Sequence, residues 1–208
     1  MRRLWLMVTL SLLAVQAWSA SFDEQLLGVQ QRWAQIQYQL ADDDKERAFE
    51  ALAVDAEALV SANPQRPEAW IWQGIVLSTY AGAKGGLGAL SLVKQARASL
   101  ESALALDETA LDGSAHTSLG SLYYQVPGWP LSFGNDEEAK RHLREALRIS
   151  PDDIDANFFY ADFLLDQGEP ERARVYLEKA LEAPARPNRP LADEGRRHEI
   201  QLRLAGLH

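Results

Sequence analysis

Four histidines, His116, His142, His198 and His208, are the side chains best suited to hold a metal or move a proton near neutral pH. No two of them stand three or four residues apart, the spacing that would put both on one helix face, and the chain has no cysteine. His116 falls near a packing position and is expected in a core or groove. No serine has a nucleophile-elbow setting. Gly82-Ala83-Lys84-Gly85-Gly86 invites comparison with a phosphate-cradling loop, but no Gly-Lys-Ser/Thr follows it and no strand precedes it. Asp42, Asp43 and Asp44 could open a calcium loop. The remaining ligands and the loop glycine are missing, and three acids suit the positive end of a helix dipole instead. These patterns predict no catalytic set, no metal and no cofactor.

The elements that would position any functional side chain carry a repeat. Ala139, Leu143 and Ala146 recur as Ala173, Leu177 and Ala180, each 34 residues further on. A small-bulky-small triplet at that period marks the second helix of a tetratricopeptide (TPR) repeat. Small residues let the second helix approach the first, and the bulky one fills the gap between them. One pair cannot cover its own apolar faces, so pairs stack. The triplet appears again as Ala96, Leu100 and Ala103, and first-helix markers appear as Trp70 with Gly74 and as Leu119, Gly120 and Tyr123.

Apolar periodicity and cap residues predict helices over 21–40, 45–62, 68–80, one ending near 106, then 110–125, 136–149, 152–166, 169–182 and about 191–206. Two repeats are too long. Trp70 to Ala96 spans 26 residues where the repeat has 16, and Leu119 to Ala139 spans 20 where it has 13. The surplus falls on Ala81–Gly88, with four glycines, and on Val126–Gly134, with two prolines and two glycines. Both stretches are expected to be inserted loops. The predicted fold is an all-α, TPR-like solenoid of about four helical pairs, with a C-terminal capping helix over the exposed end and inserted loops in two repeats.

In such a stack the first helices line the concave surface. Trp72, Tyr80, Tyr124 and Phe159 lie on first helices, Lys84 lies in the glycine-rich stretch, and Trp129 and Phe133 lie in the second loop. These seven are the expected groove for a protein or peptide partner. Large apolar rings in a loop must dock on the stack or await a partner. Arg186, Arg189, Arg196 and Arg197 concentrate positive charge near the C-terminus. They either pair with Asp193, Glu194 and Glu199 or form an anion-binding or docking patch. A small apolar-ligand carrier, using a cavity under the inserted loops, is the alternative function.

Composition narrows the class of partner. The chain has 208 residues and a net charge of −9, which disfavours nucleic acid. Residues 1–20 have a basic start, Arg2-Arg3, an apolar run and small residues at Ser19-Ala20, the layout of a cleaved signal peptide. Residues 21–208 then form one exported domain, expected in the periplasm, with no transmembrane segment. Without a cysteine it carries neither disulfide nor lipid anchor.

The TPR markers, together with AGAKGGLGALSLVKQAR, YYQVPGWPLSFGNDEEAKRHL and the terminal RPLADEGRRHEI, resemble bacterial periplasmic TPR proteins. In particular they resemble the T component associated with tripartite ATP-independent periplasmic (TRAP) transporters and its relatives. That resemblance implies a non-enzymatic helical scaffold that partners a periplasmic solute-binding protein and forms homo-oligomers with hydrophobic channels.

Overall fold

The computed structural model describes residues 20–207. Of the segment expected to be a signal peptide, only Ala20 falls within that range. Among the described residues are nine helices: α1 (Phe22–Gln39), α2 (Asp42–Ala62), α3 (Pro67–Lys84), α4 (Gly86–Leu106), α5 (Ala110–Gln125), α6 (Asp136–Ile149), α7 (Ile154–Asp166), α8 (Pro170–Leu181) and α9 (Pro190–Ala205). Their starts are written in the sequence. Ser21 and Glu24 form a reciprocal capping box at α1, Asn135 accepts from the N–H groups of Glu137 and Glu138, and Asp153 accepts from Ala156 N–H. Pro67, Pro170 and Pro190 occupy first-turn positions, where a missing N–H costs nothing.

Consecutive helices pair as hairpins, α1–α2, α3–α4, α5–α6 and α7–α8, and each hairpin packs both of its helices against the first helix of the next. The repeat markers explain the pairing. A Cβ at Gly74 would sit 2.5 Å from Leu100 Cγ, and one at Gly120 would sit 2.5 Å from Leu143 Cγ. The marker glycines of α3 and α5 are therefore the holes, and Leu100 and Leu143 are the knobs that fill them. Leu100, Leu143 and Leu177 are all fully buried, as are the small residues on either side of them. The all-α, TPR-like hairpin solenoid expected from the sequence is the architecture observed.

The first insertion corrects the expectation. Ala81–Gly88 is not a loop. α3 continues to Lys84, α4 begins at Gly86, and only Gly85 separates them, at φ 64°. The surplus residues became extra helical turns on both arms of the hairpin. Residues 82–88 are exposed. At a solvated tip the helix cost of glycine, about 1 kcal/mol each, is tolerable, and two consecutive glycines with positive φ, Gly85 and Gly86, reverse the chain. Leu87 stands out there, 84% exposed.

The second insertion is a loop, as expected. Gly134 N–H donates to Pro127 O, Leu131 and Ser132 N–H groups donate to Gly128 O, and Asn135 N–H donates to Tyr123 O. Phe133 docks edge-on against Tyr123 at 5.5 Å, with the Arg97 guanidinium 5.0 Å from its ring. Trp129, preceding a cis Pro130, points away and is 90% exposed, and Leu131 is 63% exposed. One ring of the loop docks and the other does not.

A second difference lies at the start of α5. Leu111, Asp112 and Gly113 hold φ of 48°, 58° and 75°, a left-handed turn before the right-handed helix begins. Such a conformation costs a residue with a Cβ roughly 1–2 kcal/mol. Gly113 also packs on Ile149, where a Cβ would lie 3.1 Å from Cδ1.

α9 does more than cover the end. It packs on α7 and α8 and also on α1. Arg197 donates to the carbonyls of Leu181 and Ala183, stitching α9 to the end of α8. Gly195 lies so close to Tyr38 that a Cβ would fall 2.4 Å from the ring. The stack curls until its last helix meets its first.

Candidate functional site: the inner cavity and the outer loop

Curling forms an open-mouthed cavity of about 940 Å³ against α1, α3, α5 and α7, bordered on one side by a roof, the 184–189 segment. One wall is aromatic. Trp33 and Trp72 meet edge to face at 6.0 Å, and Trp33 Nε1–H donates to Thr79 Oγ1 at 3.0 Å, so its polar edge is satisfied. Leu26, Ile75 and Phe159 extend that surface, while Thr117, Ser118 and Ser121 of α5 make the facing wall polar. Leu111 and Asp112 of the left-handed turn also border it.

The roof is held by a network of charges. Asp155 accepts from Arg186 Nη1 at 2.7 Å and from Arg196 Nε at 2.7 Å. Arg186 Nε also donates to Asp193 at 2.6 Å, and Arg196 Nη1 to Glu199 at 2.5 Å. The Arg196 side chain is only 9% exposed and lies over Phe158 and Phe159 at 4.3 and 4.8 Å. Burial pushes the Asp155 carboxyl up, but the Arg196 and Arg186 charges override it and hold the group far below the usual carboxylate range. Asp153 shows the reverse. Burial, then the neighbouring Asp155 charge, pushes it up to about 6.

The structure divides the sequence-expected residues. Trp72, Phe159, Arg186, Arg189 and Arg196 border the cavity. Arg186 and Arg196 are not a surface patch, because their charges are taken up internally. Arg197 is spent on backbone carbonyls. Glu194 takes no part in the network, whereas Asp155, from a different hairpin, is its centre. Tyr80 and Lys84 lie elsewhere: Lys84 pairs with Glu46 at 2.8 Å and rests near the Tyr80 ring. Tyr124 donates to Asp162 at 2.8 Å and packs on Phe163. Trp129 and Phe133 belong to the outer loop. The cavity itself lies on the concave face of the first helices, and of the two inserted segments only Gly82 of the first borders it.

Spacing along one helix conceals a histidine pair. His116 and His142 are buried, with Nδ1 atoms 2.9 Å apart across α5 and α6. Arg141 Nη2 lies 2.8 Å from His142 Nε2 and can only donate, so the His142 proton sits on Nδ1 and points at His116 Nδ1. That leaves His116 Nε2–H as a buried donor with no partner among the described residues. Burial lowers both pKa values, His142 to about 4, with the Arg141 charge second for His142. Among the described residues no cluster of three metal-ligating groups occurs, and no helix is long and apolar enough to cross a membrane.

A family model over part of the chain agrees with the class that these hairpins define. Residues 131–189 match the family model described as "Tetratricopeptide repeat". The match begins in the second loop and runs through α6, α7 and α8 into the roof. A thermophilic TPR protein of Thermus thermophilus is similar over 90% of this chain and 98% of its own, at 16% identity and a TM-score of 0.47. No curated protein matches the chain. The class is a TPR-like helical-hairpin repeat.

Proposed function

We propose that this protein is a non-enzymatic, periplasmic interaction scaffold that grips a protein partner through the tip of its third hairpin, α5–α6. The observation that carries the reading is Trp129. A rigid loop, tied by four backbone hydrogen bonds and anchored by Phe133, holds this indole 90% exposed beside Leu131. Exposing a large ring costs solvation, and tryptophan is the residue most enriched where interfaces concentrate their binding energy. Because the loop is already ordered, a partner loses little entropy on meeting it. The resemblance to TRAP-associated T components favours a solute-binding protein as that partner.

A photo-crosslinking residue at position 129 in intact cells tests this. It should capture one dominant protein, and Trp129→Ala should abolish complex formation while leaving stability within about 0.5 kcal/mol. Val175, 61% exposed on α8, serves as the control position. Equal capture from positions 129 and 175 would defeat the proposal, and a captured protein unrelated to solute binding would defeat the transporter link.

The inner cavity favours a second reading, a carrier for small apolar ligands. Its volume suits a drug-sized molecule, and its aromatic wall supplies apolar surface.

A further inference from the structure

We infer that the inner cavity is built for an amphipathic monocarboxylate, whose carboxylate pairs with Arg189 while its apolar body lies along Trp33, Trp72 and Phe159. The inference rests on the carrier reading and adds the charge and polarity of the ligand. Three arginines reach this region, and two are accounted for. Arg186 and Arg196 share Asp155, with Asp193 and Glu199 completing their sets. Arg189 makes no side-chain hydrogen bond or ion pair among the described residues, and its Nε is buried without a partner. Its guanidinium stands 5.0 Å from the Trp72 ring centroid, at the border of the cavity.

A half-buried guanidinium whose Nε is shut off from water without an acceptor carries an uncompensated desolvation cost at that edge. Stacking on an indole offsets part of that cost. An anion arriving in the cavity would offset the rest. The planar fork of N–H donors favours a planar two-oxygen acceptor. A single unmatched positive charge calls for a single negative one. A phosphate monoester would bring surplus charge into a space that Asp23, Glu24, Asp112, Asp153 and Asp155 already border. The aromatic wall beside Arg189 selects an apolar tail. The roof supplies the charged residue and the first helices supply the wall, so the site exists only when the stack has curled closed.

Titration calorimetry of the intact protein at pH 7.5 with octanoate, octan-1-ol and octylamine separates the possibilities. Octanoate should bind at one site, at least tenfold tighter than octan-1-ol, and octylamine should bind most weakly. Arg189→Met keeps the side-chain stem over Trp72 and removes the charge. It should weaken octanoate at least tenfold and leave octan-1-ol unchanged. If octan-1-ol matches octanoate and Arg189→Met changes neither, the carrier reading stands and the carboxylate assignment falls. Tighter binding of octylamine would show that the cavity acids dominate, and would overturn the assignment too. No binding by any of the three would overturn both. The comparison among ligands needs only the unmutated protein, so it survives any folding defect in the variant.

Discussion

Asp155→Asn is the sharpest test of how the roof is held. Asn keeps the shape and one acceptor oxygen, but it places an NH₂ donor against a guanidinium. One of the two 2.7 Å bonds is lost outright and the other loses its charge. A hydrogen bond to a charged group contributes about 1.5–3 kcal/mol. Breaking a buried pair costs about 3–5 kcal/mol because the surviving charge is stranded. Asp193 and Glu199 still serve Arg186 and Arg196, and the Asp155 side chain is 24% exposed, so the expected loss is about 2–4 kcal/mol. At about 2–4 °C per kcal/mol for a chain of this size, Tm should fall by roughly 4–16 °C. Urea unfolding at pH 7 measures the free energy directly. A cycle with Arg196→Met should return a coupling of about 1–3 kcal/mol. Asp55→Asn, which removes a half-exposed pair with Arg32, is the comparison and should cost less than about 1 kcal/mol. If Asp155→Asn costs no more than Asp55→Asn, the roof network contributes nothing and the account of α9 fails.

Other changes test separate parts of the molecule. Asp153→Asn should stabilise the protein at pH 7 by about 1–3 kcal/mol, because asparagine caps α7 equally well without the charge facing Asp155. The carboxyl is raised to about 6 when folded, so its cost is full above that pH and gone below the unfolded value; the gain should shrink as urea melts are moved from pH 7 to pH 4. The histidine pair works oppositely. With His142 lowered to about 4, its contribution is intact above the unfolded value near 6.5 and is lost as pH falls toward 4, by about 3 kcal/mol. His142→Asn should therefore flatten the acid limb of the stability curve relative to the unmutated protein, and an unchanged limb would refute the buried neutral pair. Gly195→Ala should cost about 1–3 kcal/mol by driving a methyl into Tyr38, and Tyr38→Ala should relieve most of that penalty in the double variant.

How much of the molecule is legible in its sequence depends on the range of the interaction concerned. The hairpins can be read because a knob and its hole, such as Leu143 and Gly120, recur at a fixed period and settle local pairing. The caps can be read because Asn135 and Asp153 act on their own helices. Ala81–Gly88 misleads because a count of glycines carries no information about exposure. A solvated hairpin tip tolerates glycines that a packed helix would not. The cavity is only partly visible. The repeat places Trp72 and Phe159 on the concave face, but Trp33 looks like any other buried position of α1. Asp155 carries no signal at all, since its partners lie 31 and 41 residues away and arrive only when the chain curls. The histidine pair is hidden for the same reason. Its one signal is indirect: Gly120 meeting Leu143 sets the register of α5 on α6, and one turn back from Gly120 lies His116, near the neighbour of Leu143.

The contact between Tyr38 and Gly195 also bears on how such a chain can change over time. A pile with free ends accepts another hairpin at little cost, because each unit touches only its neighbours. Here the two ends meet, so the number of units is part of the geometry. Inserting or deleting a hairpin would rotate α9 past α1 and part Arg189 from Trp72. Growth has instead gone sideways, into longer arms on one hairpin and a longer loop on the next, the two directions that leave the circle intact.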